Sequence, residues 1–193
     1  AAGCPLILKA DERSPAAATA IVESLVEVGV PAGVVQLLFG DPPTVSSTLL
    51  ASPDVRVVTF TGSTRVGREL AAVAARNLQQ CVLELGGNAP AVVLADTDVE
   101  SVARQIVGYK FDTGGQSCNA PNRVYVARPC HDAFVGALVR AVAELKVGPV
   151  SDPENTVGPL IDAASVARME RIVSDAREKG ATIARGEAPL DGP

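Results

Sequence analysis

Apolar positions follow two rhythms along this chain. Short apolar runs bounded by turn formers predict strands over 5–8, 34–39, 55–60, 82–85, 91–94 and 123–127. Longer stretches repeat near the helical period instead. Ser14-Pro15 opens the first of these in the favoured order, cap and then proline. Ile21, Val22, Leu25, Val26 and Val28 recur along it until Gly29 and Pro31 end it. Further helices are predicted over 44–50, 67–77, 99–111, 131–146 and 164–179, the last closed by Gly180. The 131–146 segment gathers Phe134, Val135, Leu138, Val139, Val142 and Leu145 on one stripe and stops at Gly148-Pro149. Residues 151–157 are polar and contain Pro153, so they read as a loop, and 181–184 as a short final strand.

Strands alternating with helices of about 10–15 residues signal βαβ units and a parallel sheet. The expected fold class is α/β, a doubly wound parallel sheet followed by a second α/β portion. A change of pattern near residues 86–98 marks the boundary, because one strand and two long helices dominate beyond it. No internal repeat or low-complexity tract interrupts the chain.

Composition narrows this picture. Apolar residues make up 47% and charged residues 20%, which supports a sizeable core and excludes global disorder. With four Phe, two Tyr and no Trp, that core must be aliphatic. A formal charge of −5, with no Lys/Arg cluster, argues against nucleic acid as a partner. Cys4, Cys81, Cys118 and Cys130 show no Cys-x-x-Cys spacing, so neither a zinc site nor a disulfide framework is expected. The single histidine, His131, is expected at the surface start of a helix and leaves no partner for a Cys–His or Ser–His–Asp arrangement. Without an 18-residue apolar span or a signal-peptide pattern, the expectation is a soluble cytoplasmic protein with no membrane partner.

Two segments carry candidate chemistry. Thr113-Gly114-Gly115-Gln116-Ser117-Cys118 places a cysteine behind two glycines, where the backbone can take conformations a side chain forbids. A thiolate is the strongest nucleophile among ordinary side chains. Taken alone, most cysteines are small buried hydrophobes. The second segment, Glu84-Leu85-Gly86-Gly87, ends an apolar strand with a carboxylate. Such a group must be solvated, paired or neutralised, and one that can be neutralised suits the activation of water.

Together with Leu8-Lys9-Ala10-Asp11-Glu12 and Thr59-Phe60-Thr61-Gly62-Ser63-Thr64-Arg65-Val66-Gly67, these ordered motifs resemble the aldehyde dehydrogenase superfamily across essentially the whole chain. Within it, the likeness is to the succinate-semialdehyde-like branch. The resemblance implies that Cys118 is the nucleophile and Glu84 the general base. It also implies that 1–86 is the second half of an NAD-binding domain and 87–193 the N-terminal part of a catalytic domain, both incomplete. Members of the family are far longer, so the chain is expected to be the middle of a larger homodimeric or homotetrameric enzyme and inactive by itself.

The same resemblance assigns the cofactor contacts. Lys9 and Glu12, which composition alone would leave as solvated loop charges, become ligands of the adenosine ribose. A carboxylate there accepts from ribose hydroxyls and repels a 2′-phosphate, so NAD is expected rather than NADP. Gly62 and Ser63, otherwise a turn that needs small residues, would meet the pyrophosphate at a helix N-terminus, with Gly86 nearby. Gln116 and Asn119 are read as hydrogen-bonders that order their loop.

The implied reaction converts a small-molecule aldehyde to an acid through a thiohemiacetal and a thioester on Cys118, with water activated by Glu84. Two other readings stand beside it. One is a dehydrogenase that passes the acyl group to coenzyme A, although such relatives lack the base that Glu84 supplies. The other is a catalytically incomplete structural or assembly piece of the parent.

Overall fold

The computed structural model describes residues 3–184. Its first strand, β1 (Leu6–Lys9), leads into α1 (Pro15–Glu27), which returns the chain to β2 (Val35–Leu38). The two strands are parallel, with Leu6 opposite Val35 and Lys9 opposite Leu38. Pro15 sits in the first turn of α1, where its missing N–H leaves no intrahelical bond unmade. Gly29, at φ 89°, takes the chain out of the helix through a left-handed turn.

The next unit repeats the plan. α2 (Pro42–Ala51) precedes β3 (Val57–Gly62), and α3 (Thr64–Ala74) crosses over to β4 (Gln80–Leu85), again parallel to β3. Both helices begin earlier than their apolar periodicity suggests. In α2 the Asp41 carboxylate accepts from the Thr44 N–H at 3.0 Å and makes Pro42 and Pro43 the first turn. In α3 the Ser63 hydroxyl accepts from the Val66 N–H at 3.3 Å, so the helix starts at Thr64 rather than 67. The far end of α2 is closed by side-chain amides: Asn77 and the buried Gln79 donate to the Leu50 carbonyl at 2.9 and 3.2 Å. The expected parallel pairing thus appears as two separate two-stranded sheets, β1–β2 and β3–β4.

The chain divides into two compact units between Gly86 and Gly87. In the second unit β5 (Pro90–Val93) pairs in parallel with β6 (Arg123–Val126), and α4 (Val99–Phe111) is the crossover. α5 (His131–Ala143) packs against α4, and the core forms between them and the sheet. Val93, Ala103, Cys130, Phe134 and Ala137 are buried there, with Val102, Ile106, Val124 and Leu138 around them. Phe134 and Leu138 of the predicted stripe take their expected places. The helix ends at Ala143 rather than 146 because Lys146 leaves it. Its carbonyl accepts from the Thr156 and Val157 N–H groups, and Val147 bridges Val157. α6 (Ala163–Glu178) is capped by Asp162 through the Ser165 N–H at 2.7 Å. The strand expected over 181–184 does not form; these residues are exposed and pair with no strand in the described chain.

Candidate active site

The carboxyl ends of parallel strands leave N–H groups and turns unpaired, which is why ligands collect there in α/β folds. In the first unit the two sheets place every residue singled out from the sequence at such an end. Lys9 closes β1, and its ammonium lies 2.5 Å from a Glu12 carboxylate oxygen. The same oxygen accepts from the Gly40 N–H at 3.1 Å, so Glu12 fastens the turn after β1 to the turn after β2. These contacts, led by the lysine, hold the Glu12 carboxyl below its ordinary range. Asp11 is depressed further by Arg13, and Asp41 by Thr44.

On the second sheet, Thr61 stands opposite Glu84 and Gly62 opposite Leu85. The Gly62–Ser63 turn and the candidate base therefore occupy the same end of one strand pair. Gly62 has a local reason to be glycine, since a Cβ there would come within 2.4 Å of the Phe60 ring. Gly67 is buried, and a Cβ there would meet Leu85 Cδ2 at 2.6 Å, so a side chain at that position would require the Leu85 side chain or α3 to shift. Gly86 differs from both. Among the described residues, nothing lies within 4 Å of the position its Cβ would take.

In the second unit Cys118 follows the last turn of α4 and is exposed. Gly114 and Gly115 have φ of 61° and 76°, the left-handed conformation that their place before the cysteine suggested. Gln116 and Asn119 order the loop as expected. The Gln116 side-chain oxygen accepts from the Ile161 N–H at 2.9 Å and its amide donates to the Thr113 carbonyl at 3.1 Å. Ser117 donates to the Asn119 side chain at 2.5 Å. Ala120, buried, pins the end of the turn through its N–H to the Ser117 carbonyl. The sequence reading missed two residues, Lys110 and Asn122, which join at 2.6 Å beneath this loop. His131 starts α5, exposed and paired with Asp132.

The structure thus brings Lys9 to Glu12 and the Gly62–Ser63 turn to Glu84, while Cys118 lies in the other unit. Among the described residues, no group of three metal-ligating side chains gathers, and no helix is long and apolar enough to cross a membrane.

Residues 1–192 match the model of the aldehyde dehydrogenase family. The chain belongs to that family. It is 40% identical over 186 residues to the NADP(+)-named succinate-semialdehyde dehydrogenase of Escherichia coli, covering 96% of this chain and 39% of that protein. It is 41% identical over 189 residues to a glutarate-semialdehyde dehydrogenase of Pseudomonas aeruginosa, covering 98% and 39%. Among solved structures, an Escherichia coli NADP-dependent enzyme superposes with a TM-score of 0.95 at 39% identity, over 99% of this chain and 40% of that one. The chain therefore spans about two fifths of the length of these aldehyde dehydrogenase relatives.

The donor set suits a nicotinamide dinucleotide, the class of cofactor for which two of these relatives are named. A carboxylate and an ammonium stand together at one strand end, and a capped helix N-terminus of eleven residues stands at another. Lys9, Glu12, Gly62 and Ser63 are residues of this chain that could hold it.

Proposed function

We propose that this chain carries the cofactor-binding, base and nucleophile segments of an enzyme that oxidises an aldehyde to a carboxylic acid, with NAD as the preferred cofactor. The observation that carries the reading is the exposed Cys118 on its left-handed double-glycine turn, in a chain whose motifs match the aldehyde dehydrogenase family along nearly its whole length. When bound, the nicotinamide supplies the hydride acceptor.

The remaining chemistry belongs to the chain. The Cys118 sulfur attacks the aldehyde carbon, the sulfur–carbon bond forms, and the carbonyl π electrons move to oxygen. Once hydride has left that carbon, the substrate is a thioester on Cys118. Glu84 removes a proton from water, which adds to the thioester and expels the thiolate, giving the acid. The carboxylate favours hydrolysis over transfer of the acyl group to coenzyme A. Relatives named for succinate and glutarate semialdehydes make a short aldehyde with a distant carboxylate the first substrate class to try. NAD is preferred in this reading because Lys9, which could meet a 2′-phosphate, is neutralised by Glu12 at 2.5 Å. The NADP(+)-named relative makes a direct comparison of both cofactors part of the test.

The test is Cys118→Ala in a polypeptide with this chain at its relatives' full length. Aldehyde-dependent reduction of cofactor should vanish while cofactor binding persists. Equal turnover in the variant would sink the proposal.

A further inference from the structure

Lys110 lies in the last turn of α4, eight positions before Cys118. A lysine at a helix C-terminus usually extends its ammonium into water. This one turns back under the loop. Its Nζ donates to the Asn122 side-chain oxygen at 2.6 Å, and partial burial lowers its pKa by desolvation. The ammonium is thus fixed by a side chain twelve residues further along the chain.

The neighbours indicate a role. A Cβ added at Gly115 would find the Lys110 carbonyl at 3.3 Å, Cε at 3.4 Å and Nζ at 3.6 Å. The lysine stem therefore lies against the turn that precedes Cys118, while its head grips a residue that follows it. Asn122 is itself anchored: its N–H donates to the Asn88 carbonyl at 3.1 Å and its side-chain amide to the Gly87 carbonyl at 3.5 Å. The next residue begins β6, which fixes the chain into the sheet.

We infer that Lys110 is the positioning residue of the nucleophile loop: through Asn122 it holds both ends of the 113–122 segment and so sets where Cys118 presents its thiol. The inference rests on Cys118 being the nucleophile and adds a residue that itself touches no substrate.

The test uses a polypeptide with this chain at its relatives' full length and two measurements. One is the rate at which iodoacetamide alkylates Cys118, resolved by peptide mapping with exposed Cys81 as internal control. The other is hydrogen exchange across 113–122. Lys110→Met keeps the stem and removes the charge, Asn122→Leu removes the acceptor, and Asn122→Asp replaces it with one the ammonium can still hold. A hydrogen bond to a charged group is strong enough to change a loop population about tenfold. Lys110→Met and Asn122→Leu should each slow Cys118 alkylation by about that factor and speed exchange in 113–122, with Cys81 unchanged. The double variant should be no slower than either single, because both remove one contact. Asn122→Asp should keep the wild-type rate, and only while Lys110 is present. Fully additive losses, no rescue by Asn122→Asp, or unchanged exchange in Lys110→Met would each overturn the clamp. Wild-type Cys118 reacting no faster than Cys81 would instead overturn the nucleophile reading, and the exchange measurement would then judge the clamp by itself.

Discussion

Glu84 stands directly opposite Thr61 in the parallel ladder of β3 and β4. That register puts the candidate base one residue from the end of its strand, one position before the level of the Gly62–Ser63 turn on the neighbour. Side chains alternate across a sheet with a period of two, so a slip of one position would send Glu84 to the opposite face. The placement of the carboxylate is thus a property of strand pairing rather than of its own contacts. Its chemistry is then testable separately from its position.

Glu84→Gln keeps size and hydrogen-bonding capacity and removes the base. In a polypeptide with this chain at its relatives' full length, the thioester proposed on Cys118 should still form once, giving a stoichiometric burst of reduced cofactor, while steady-state turnover falls by roughly 10²–10⁴-fold, the usual worth of a positioned base. If burst and turnover decline together, Glu84 acts before deacylation.

The packing of α3 on the end of β4 can be tested as well. Gly67→Ala would press a methyl to 2.6 Å from Leu85 Cδ2, immediately beside Glu84. Overpacking of this kind costs about 1–3 kcal/mol. Chemical denaturation should show that loss, and pairing the change with Leu85→Val should recover part of it by withdrawing the colliding carbon. A Gly67→Ala variant of wild-type stability would mean that the Leu85 side chain or α3 can move aside without penalty.

Much of this was legible in the sequence because it depends on local chemistry. Gly114 and Gly115 announce a left-handed turn, and Phe134 and Leu138 announce a buried helix face. Helix starts were misplaced where a cap overrides periodicity. Asp41 and Ser63 each cap residues ahead of the predicted start, Pro42-Pro43 in α2 and Thr64 to Val66 in α3, and the capping side chain is the signal for them. The C-terminal end of α5 was missed for a different reason, since Lys146 pairs with Thr156 and Val157 across a loop. Contacts between distant positions, such as Lys110 with Asn122 and Gly67 with Leu85, have no periodic signature. They exist only once the fold has brought two segments together.

Glu12 offers a last prediction with two independent readouts. Its carboxyl sits below the ordinary value of 4.5 because Lys9, first, and the Gly40 N–H favour the charged form. The folded state therefore holds this proton more weakly than the unfolded chain. The resulting stabilisation is present above the ordinary carboxylate value and is lost as pH falls through the depressed one. Glu12→Gln should flatten this acid limb, a change seen by following unfolding across that window. Without the carboxylate, Lys9 also loses its counter-charge and becomes available to a phosphate. In a polypeptide with this chain at its relatives' full length, the same variant should weaken NAD and strengthen NADP, moving the ratio of their kcat/KM values toward NADP. A flattened acid limb with an unchanged cofactor ratio would confine Glu12 to joining the turns after β1 and β2. A shifted ratio would place it at the adenosine ribose.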